Sequence, residues 1–153
     1  EGFVSGPMKW GTETEPLGRA EYEIRTGQMV EQVGFINHPK IKMFGGSPDG
    51  LVGKDGGIEI KCPNTATHIE TLLSGVVDRK YVIQVQSLMA VTGRAWWDFV
   101  SFDPRLPAEL SYWQARIMRD DAFIAEIEDE VRGFLAELDD LEKKLRGMMG
   151  AAA

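Results

Sequence analysis

The chain has 153 residues, 43% of them apolar with four Trp and seven Phe, which is enough material for one packed core. Its formal charge of -7 argues against a nucleic-acid partner until it is mapped: residues 119–153 carry ten acids and five bases, leaving only -2 on residues 1–118. The single cysteine, Cys62, excludes an intramolecular disulfide and a cysteine-ligated iron-sulfur cluster, and no apolar run approaches the roughly 18 residues of a membrane span, so a cytoplasmic protein without a membrane partner is expected.

Residues 1–11, with Gly2, Gly6, Pro7 and Gly11, read as an irregular lead-in. A helix is predicted next, capped by Thr12 or Thr14, with Pro16 in its first turn and Gly27 as its stop. Glu15 would then fall near the helix N-terminus. Met29–Ile36 and Lys40–Phe44 read as strands joined by a turn at Asn37, His38 and Pro39. In Gly45–Pro63, the run Asp55-Gly56-Gly57 is turn chemistry between Leu51-Val52 and Ile58–Lys61, so a hairpin is expected. Asn64 caps a helix to about Ser74, and a second helix runs from about Arg79 to Thr92, stopped by Gly93. Ala95–Phe102 and Leu110–Met118 read as paired strands across the turn at Pro104–Pro107.

The last element is long. Ile124, Ile127, Val131, Phe134, Leu138, Leu141, Leu145 and Met148 alternate spacings of three and four, a period of 3.5. About 30 helical residues span roughly 45 Å, so this helix either overhangs its own domain or meets another subunit. The expected organisation is one α/β (α+β) domain over 1–153, with a core at about 8–118 and the helix at about 119–149. The first residue is Glu and the last three are alanines, which reads as a segment of a longer protein.

On a strand, residues two apart share a face. Glu59 and Lys61 therefore face one way, and Ile58 and Ile60 face the core. That triplet alone describes a solvated edge equally well. Asp49, delivered by the other arm of the hairpin in Ser47-Pro48-Asp49-Gly50, gives it chemical meaning. Two converging carboxylates repel unless a cation sits between them, and an oxygen-only site suits a hard ion such as magnesium. Such an ion serves phosphodiester hydrolysis, and Lys61 beside it can orient or help deprotonate a water and contact the phosphate. Glu15 is either a further oxygen ligand or a helix N-terminal acid favoured by the macrodipole. Gln84 and Gln86 lie between apolar residues on a helix that should be largely buried, where an amide needs a partner; that partner is either the scissile phosphate or backbone.

These residues resemble a known family. Gly46-Ser47-Pro48-Asp49-Gly50, Ile58-Glu59-Ile60-Lys61-Cys62-Pro63, Tyr81 with Gln84-Val85-Gln86, Met89–Gly93, Trp97-Asp98-Phe99 and Asp103-Pro104-Arg105 look like the lambda-exonuclease or YqaJ-type viral recombinases. Trp10-Gly11 through Glu15 and Arg19 extend the likeness over residues 8–135. The resemblance implies a PD-(D/E)XK nuclease core, a central mixed sheet flanked by helices. It implies 5′ to 3′ degradation of one strand from the ends of linear double-stranded DNA with Mg2+, Mn2+ being the expected substitute. It also implies a phage or prophage setting in a bacterial host, a phage single-strand annealing protein as partner, and a ring-shaped homotrimer. Asp49 and Glu59 match the metal-binding acids, the Ile60 backbone carbonyl a further ligand, Lys61 the catalytic lysine, Glu15 the acid on the preceding helix and Gln84 the glutamine after the core strands. The family's opening segment, which helps bind the DNA end and its 5′ phosphate, has no counterpart in this sequence. A non-cutting module that binds DNA or a partner is the alternative, and a sequence-specific restriction endonuclease is a third reading that lacks a recognition region. His38, His68 and Cys62 read as structural, Trp96, Trp97 and Trp113 as core, and Arg94, Arg79, Lys80 and Lys54 as solvated surface or phosphate contacts.

Overall fold

The computed structural model describes residues 5–151 of the chain. Helix α1 (Gly6–Thr26) starts at a cap that the glycine-rich opening hides: the Ser5 side chain accepts the Met8 N–H at 3.3 Å, and Pro7 occupies the first turn, where its missing N–H costs nothing. Of the irregular lead-in expected over residues 1–11, residues 6–11 are helical, Ser5 is the cap, and residues 1–4 lie outside the described part. Pro16 is interior to the helix. Glu15 therefore stands in mid-helix, which removes the macrodipole explanation for it.

The next stretch departs further from expectation. In place of two long strands there are only β1 (Val30–Glu31), β2 (Ile36–Asn37) and β3 (Gly45–Gly46). The His38 ring explains why Lys40–Phe44 is not a strand: its Nδ1 accepts the N–H groups of Lys40 and Ile41 at 3.1 and 3.0 Å, and a backbone so engaged has no ladder to offer. Buried His38 stacks on Phe44 and meets Glu128 Oε1 through Nε2 at 2.9 Å, a structural role.

The hairpin β4 (Gly50–Val52) and β5 (Gly56–Lys61) forms as expected, but its turn is Gly53–Asp55. Gly56 and Gly57 belong to β5 because neighbouring tryptophans press on them. A Cβ on Gly56 would lie 2.1 Å from the Trp96 ring, and one on Gly57 would lie 2.4 Å from the Trp97 ring. Helices α2 (Thr65–Ser74, capped by Asn64) and α3 (Arg79–Thr92, capped by Asp78) then carry the chain to β6 (Trp96–Phe102), which pairs parallel with β5. β7 (Tyr112–Met118) returns antiparallel, and α4 (Asp121–Ala151) completes the order.

The result is a mixed α/β fold. A five-stranded mixed sheet runs β1-β4-β5-β6-β7, with a small β2-β3 sheet beside it. Tyr22 of α1 packs with Val52, Ile58, Ile60, Val100 and Phe102 on one face. Val85, Leu88, Met89 and Ala90 of α3 and Ile124 of α4 pack on Trp97 on the other. With both faces covered, β5 is buried along nearly its whole length. Beyond Ile124 and Ile127 the heptad stripe is progressively uncovered: Val131 is half-buried, Leu138 is exposed but lines a cleft with Ile41 and Met43, and Phe134, Leu141, Leu145 and Met148 are exposed. Among the described residues, no helix is long and apolar enough to cross a membrane.

Candidate active site

The hairpin and α3 hold the central charges. Asp49 sits immediately before β4, and its Oδ2 accepts the Ile60 N–H from β5 at 2.7 Å. Glu59 projects from the opposite face of β5 to Ile58 and Ile60, as the alternation predicts, yet it is no solvated edge, being only 2% exposed. Its Oε1 accepts from Lys61 Nζ at 2.5 Å and from Gln84 Nε2 at 2.8 Å. Its Oε2 is buried without a hydrogen-bond partner among the described residues.

This is an expensive arrangement. Burial first, then the charge of Glu59, pushes Asp49 up to about 7. Glu59 is pushed up as well, chiefly by burial, although Lys61 and Gln84 act to lower it. Burial disfavours the Lys61 ammonium, but Glu59 and Asp49 outweigh it and hold the lysine charged. Two acids that resist ionisation, one with an unused oxygen facing no donor, form an oxygen-rich set whose chemistry would suit a divalent cation. Asp49 and Glu59 are the two side-chain acids of this set: among the described residues, no group of three or more His, Cys, Asp or Glu side chains is placed to hold a metal ion.

Glu15 joins from α1. It lines a cleft of about 460 Å³ together with Asp49, Ile60, Lys61, Cys62 and Tyr81, and its Oε1 accepts from Arg19 at 2.5 Å one helical turn on. Of the residues singled out as site candidates, Asp49, Lys61, Glu15 and Ile60 line this cleft; Glu59 lies buried behind it, bonded to Lys61, and Gln84 reaches the set only through its bond to Glu59. Gln86 goes elsewhere, donating to the Met118 carbonyl and accepting the Asp120 N–H where α4 begins. Arg94 is not available to phosphate, because its guanidinium donates to the Gly53 and Gly56 carbonyls at 2.9 and 2.8 Å and ties down the hairpin turn. Buried His68 bridges Ser101 Oγ and the Leu110 carbonyl at 2.7 and 2.8 Å.

Tyr81 is the site residue that pattern reasoning alone passed over. Its ring stacks on Phe99 and lies 5.0 Å from Lys61 Nζ. The available signal was its i, i+3 spacing from Gln84, which sets both on one side of α3.

The YqaJ-like viral recombinase domain matches residues 1–95. An alkaline exonuclease from Laribacter hongkongensis, LHK-Exo, superposes with a TM-score of 0.96 at 54% identity, over 99% of this chain and 78% of that one. The chain belongs to the YqaJ-like viral recombinase family. LHK-Exo in complex with dAMP matches equally well, with a TM-score of 0.97 at 53% identity over 100% of this chain and 78% of that one. A phage-related exonuclease from Haemophilus somnus 129PT, at 15% identity and a TM-score of 0.75 over 95% of this chain and 76% of that one, shares the fold. No curated protein matches the chain.

Proposed function

We propose that the chain is a metal-dependent DNA exonuclease that degrades one strand of linear double-stranded DNA, 5′ to 3′, for recombination by single-strand annealing. The observation that carries the reading is the buried, unpartnered Glu59 oxygen beside a like-charged Asp49, in a chain 54% identical to an alkaline exonuclease. The dAMP held by that relative supports it, since a deoxynucleoside monophosphate is the unit that exonucleolytic hydrolysis releases.

Asp49, Glu59 and the Ile60 backbone carbonyl would hold Mg2+, or Mn2+ in its place, with Glu15 as a further oxygen ligand or as holder of a coordinated water. A bound divalent ion supplies charge neutralisation at the phosphate and acidifies the attacking water. Lys61, kept charged by its carboxylate neighbours, contacts a phosphate oxygen and orients the water. Gln84 fixes Glu59 through the bond to Oε1, which leaves Oε2 for the ion. The exposed stripe of α4 is consistent with assembly into a trimeric ring around DNA, and the expected recipient of the 3′ strand is a phage annealing protein.

The test is release of acid-soluble nucleotide from 5′-phosphorylated linear duplex DNA with magnesium, by wild type, Lys61→Ala and Asp49→Ala. Release by the wild type alone is expected. Equal release by all three, or none by the wild type, overturns the reading.

A further inference from the structure

We infer that Lys80 is a contact for the DNA backbone next to the scissile phosphate, held in position by the Tyr81 ring; this rests on the nuclease reading above and adds a substrate contact to it. Lys61 Nζ and Lys80 Nζ stand over the same Tyr81 ring, at 5.0 and 4.8 Å from its centroid. The ring itself is fixed by its stack on Phe99, 5.3 Å between centroids at 29°. Two ammonium groups within about 5 Å of one centroid lie no more than about 10 Å apart. The π face offsets part of their repulsion, and an anion reaching both offsets the rest.

The two lysines differ in what already neutralises them. Lys61 is bonded to Glu59. Lys80 is exposed and makes no ion pair among the described residues; nearby Asp78 uses its carboxylate to accept the Lys80 backbone N–H at 2.9 Å, as the cap of α3. Helix stability does not call for a cation there either. In the first turn it opposes the macrodipole.

Position supplies the remaining step. Tyr81 is shared by two clefts, the catalytic one and a neighbouring groove of about 360 Å³ whose lining includes Thr71, Phe99, the acids Glu70 and Asp78, and Lys80 as its one base. Lys80 thus stands on the rim that a strand crosses as it leaves Lys61. Phosphates on one strand recur at about 3.4 Å of helical rise, so Lys80 reaches a phosphate within about three nucleotides of the one at Lys61.

The experiment measures equilibrium binding of a fluorescein-labelled, 5′-phosphorylated linear duplex by anisotropy, in EDTA and over a series of NaCl concentrations. Lys80→Gln should weaken binding several-fold at low salt and reduce the slope of log K against log salt by about 0.7–0.9, the signature of one lost phosphate contact. Tyr81→Leu should lose the same increment and Tyr81→Phe should restore it, while Lys42→Gln, in the loop that faces α4, should leave the slope unchanged. The Lys80 side chain is exposed, so the test does not depend on a variant that unfolds. Wild-type slope in Lys80→Gln overturns the inference and leaves the exonuclease standing. Absence of both DNA binding and nucleotide release by the wild type overturns both.

Discussion

Replacing Asp49 by asparagine should make the metal-free protein more stable while abolishing its response to magnesium. The substituted amide keeps an oxygen for the Ile60 N–H, which Asp49 Oδ2 accepts at 2.7 Å, and removes only the charge. Burial and Glu59 raise the Asp49 carboxyl from 3.8 to about 7, which at 1.36 kcal/mol per pKa unit sets a ceiling of roughly 4 kcal/mol. Asp49 is partly exposed, so solvent screening brings the expected gain to about 2 kcal/mol. For a chain of this size, that corresponds to a rise in Tm of about 4–8 °C. The sign follows from proton uptake. Between pH 4 and 7 the folded wild type holds a proton that the unfolded chain has released, so its stability falls as pH rises, and the advantage of the variant grows over that window. Thermal melts in EDTA should show the gap wide at pH 8 and narrowing toward pH 4. Added magnesium should raise the wild-type Tm at pH 8 and leave Asp49→Asn unmoved. A variant no more stable than wild type in EDTA at pH 8, or an advantage independent of pH, would refute the electrostatic account of the site.

Other consequences are open to measurement. Gly57→Ala drives a methyl into the buried Trp97 ring and should cost about 1–3 kcal/mol in urea unfolding. Asp103 is fully buried; burial opposes its charge, but bonds from Arg105 and Thr65 prevail and hold its carboxyl below the ordinary range. Its ionised form thus stabilises the fold above the ordinary carboxylate pKa and ceases to do so as pH falls through the lowered value. Asp103→Asn should therefore cost about 1–3 kcal/mol at neutral pH, with the deficit shrinking in acid denaturation curves. Charging the exposed stripe with Leu141→Glu and Leu145→Glu should reduce the mass seen by light scattering if α4 carries a subunit contact, and melting of the domain should change little because both side chains project into solvent.

Whatever is periodic or local was legible in the residues alone. Alternation placed Glu59 and Lys61 on one face of β5 and Ile58 and Ile60 on the other, and Asn64, Gly75 and Gly93 marked helix ends as caps with short-range chemistry. The period of 3.5 revealed α4, and the packed fold then showed which part of its stripe is uncovered. Matters that depend on distant neighbours waited for the packed fold. It assigned Gly56 and Gly57 to a strand, since only the packed Trp96 and Trp97 rings forbid side chains there. It wound residues 38–44 around an imidazole whose nitrogen took the N–H groups a strand would have used. It also gave the acids their character: a carboxylate reads the same in any sequence, and only the walls of β5, α1 and α3 around Asp49 and Glu59 remove the water that would otherwise keep their charges cheap.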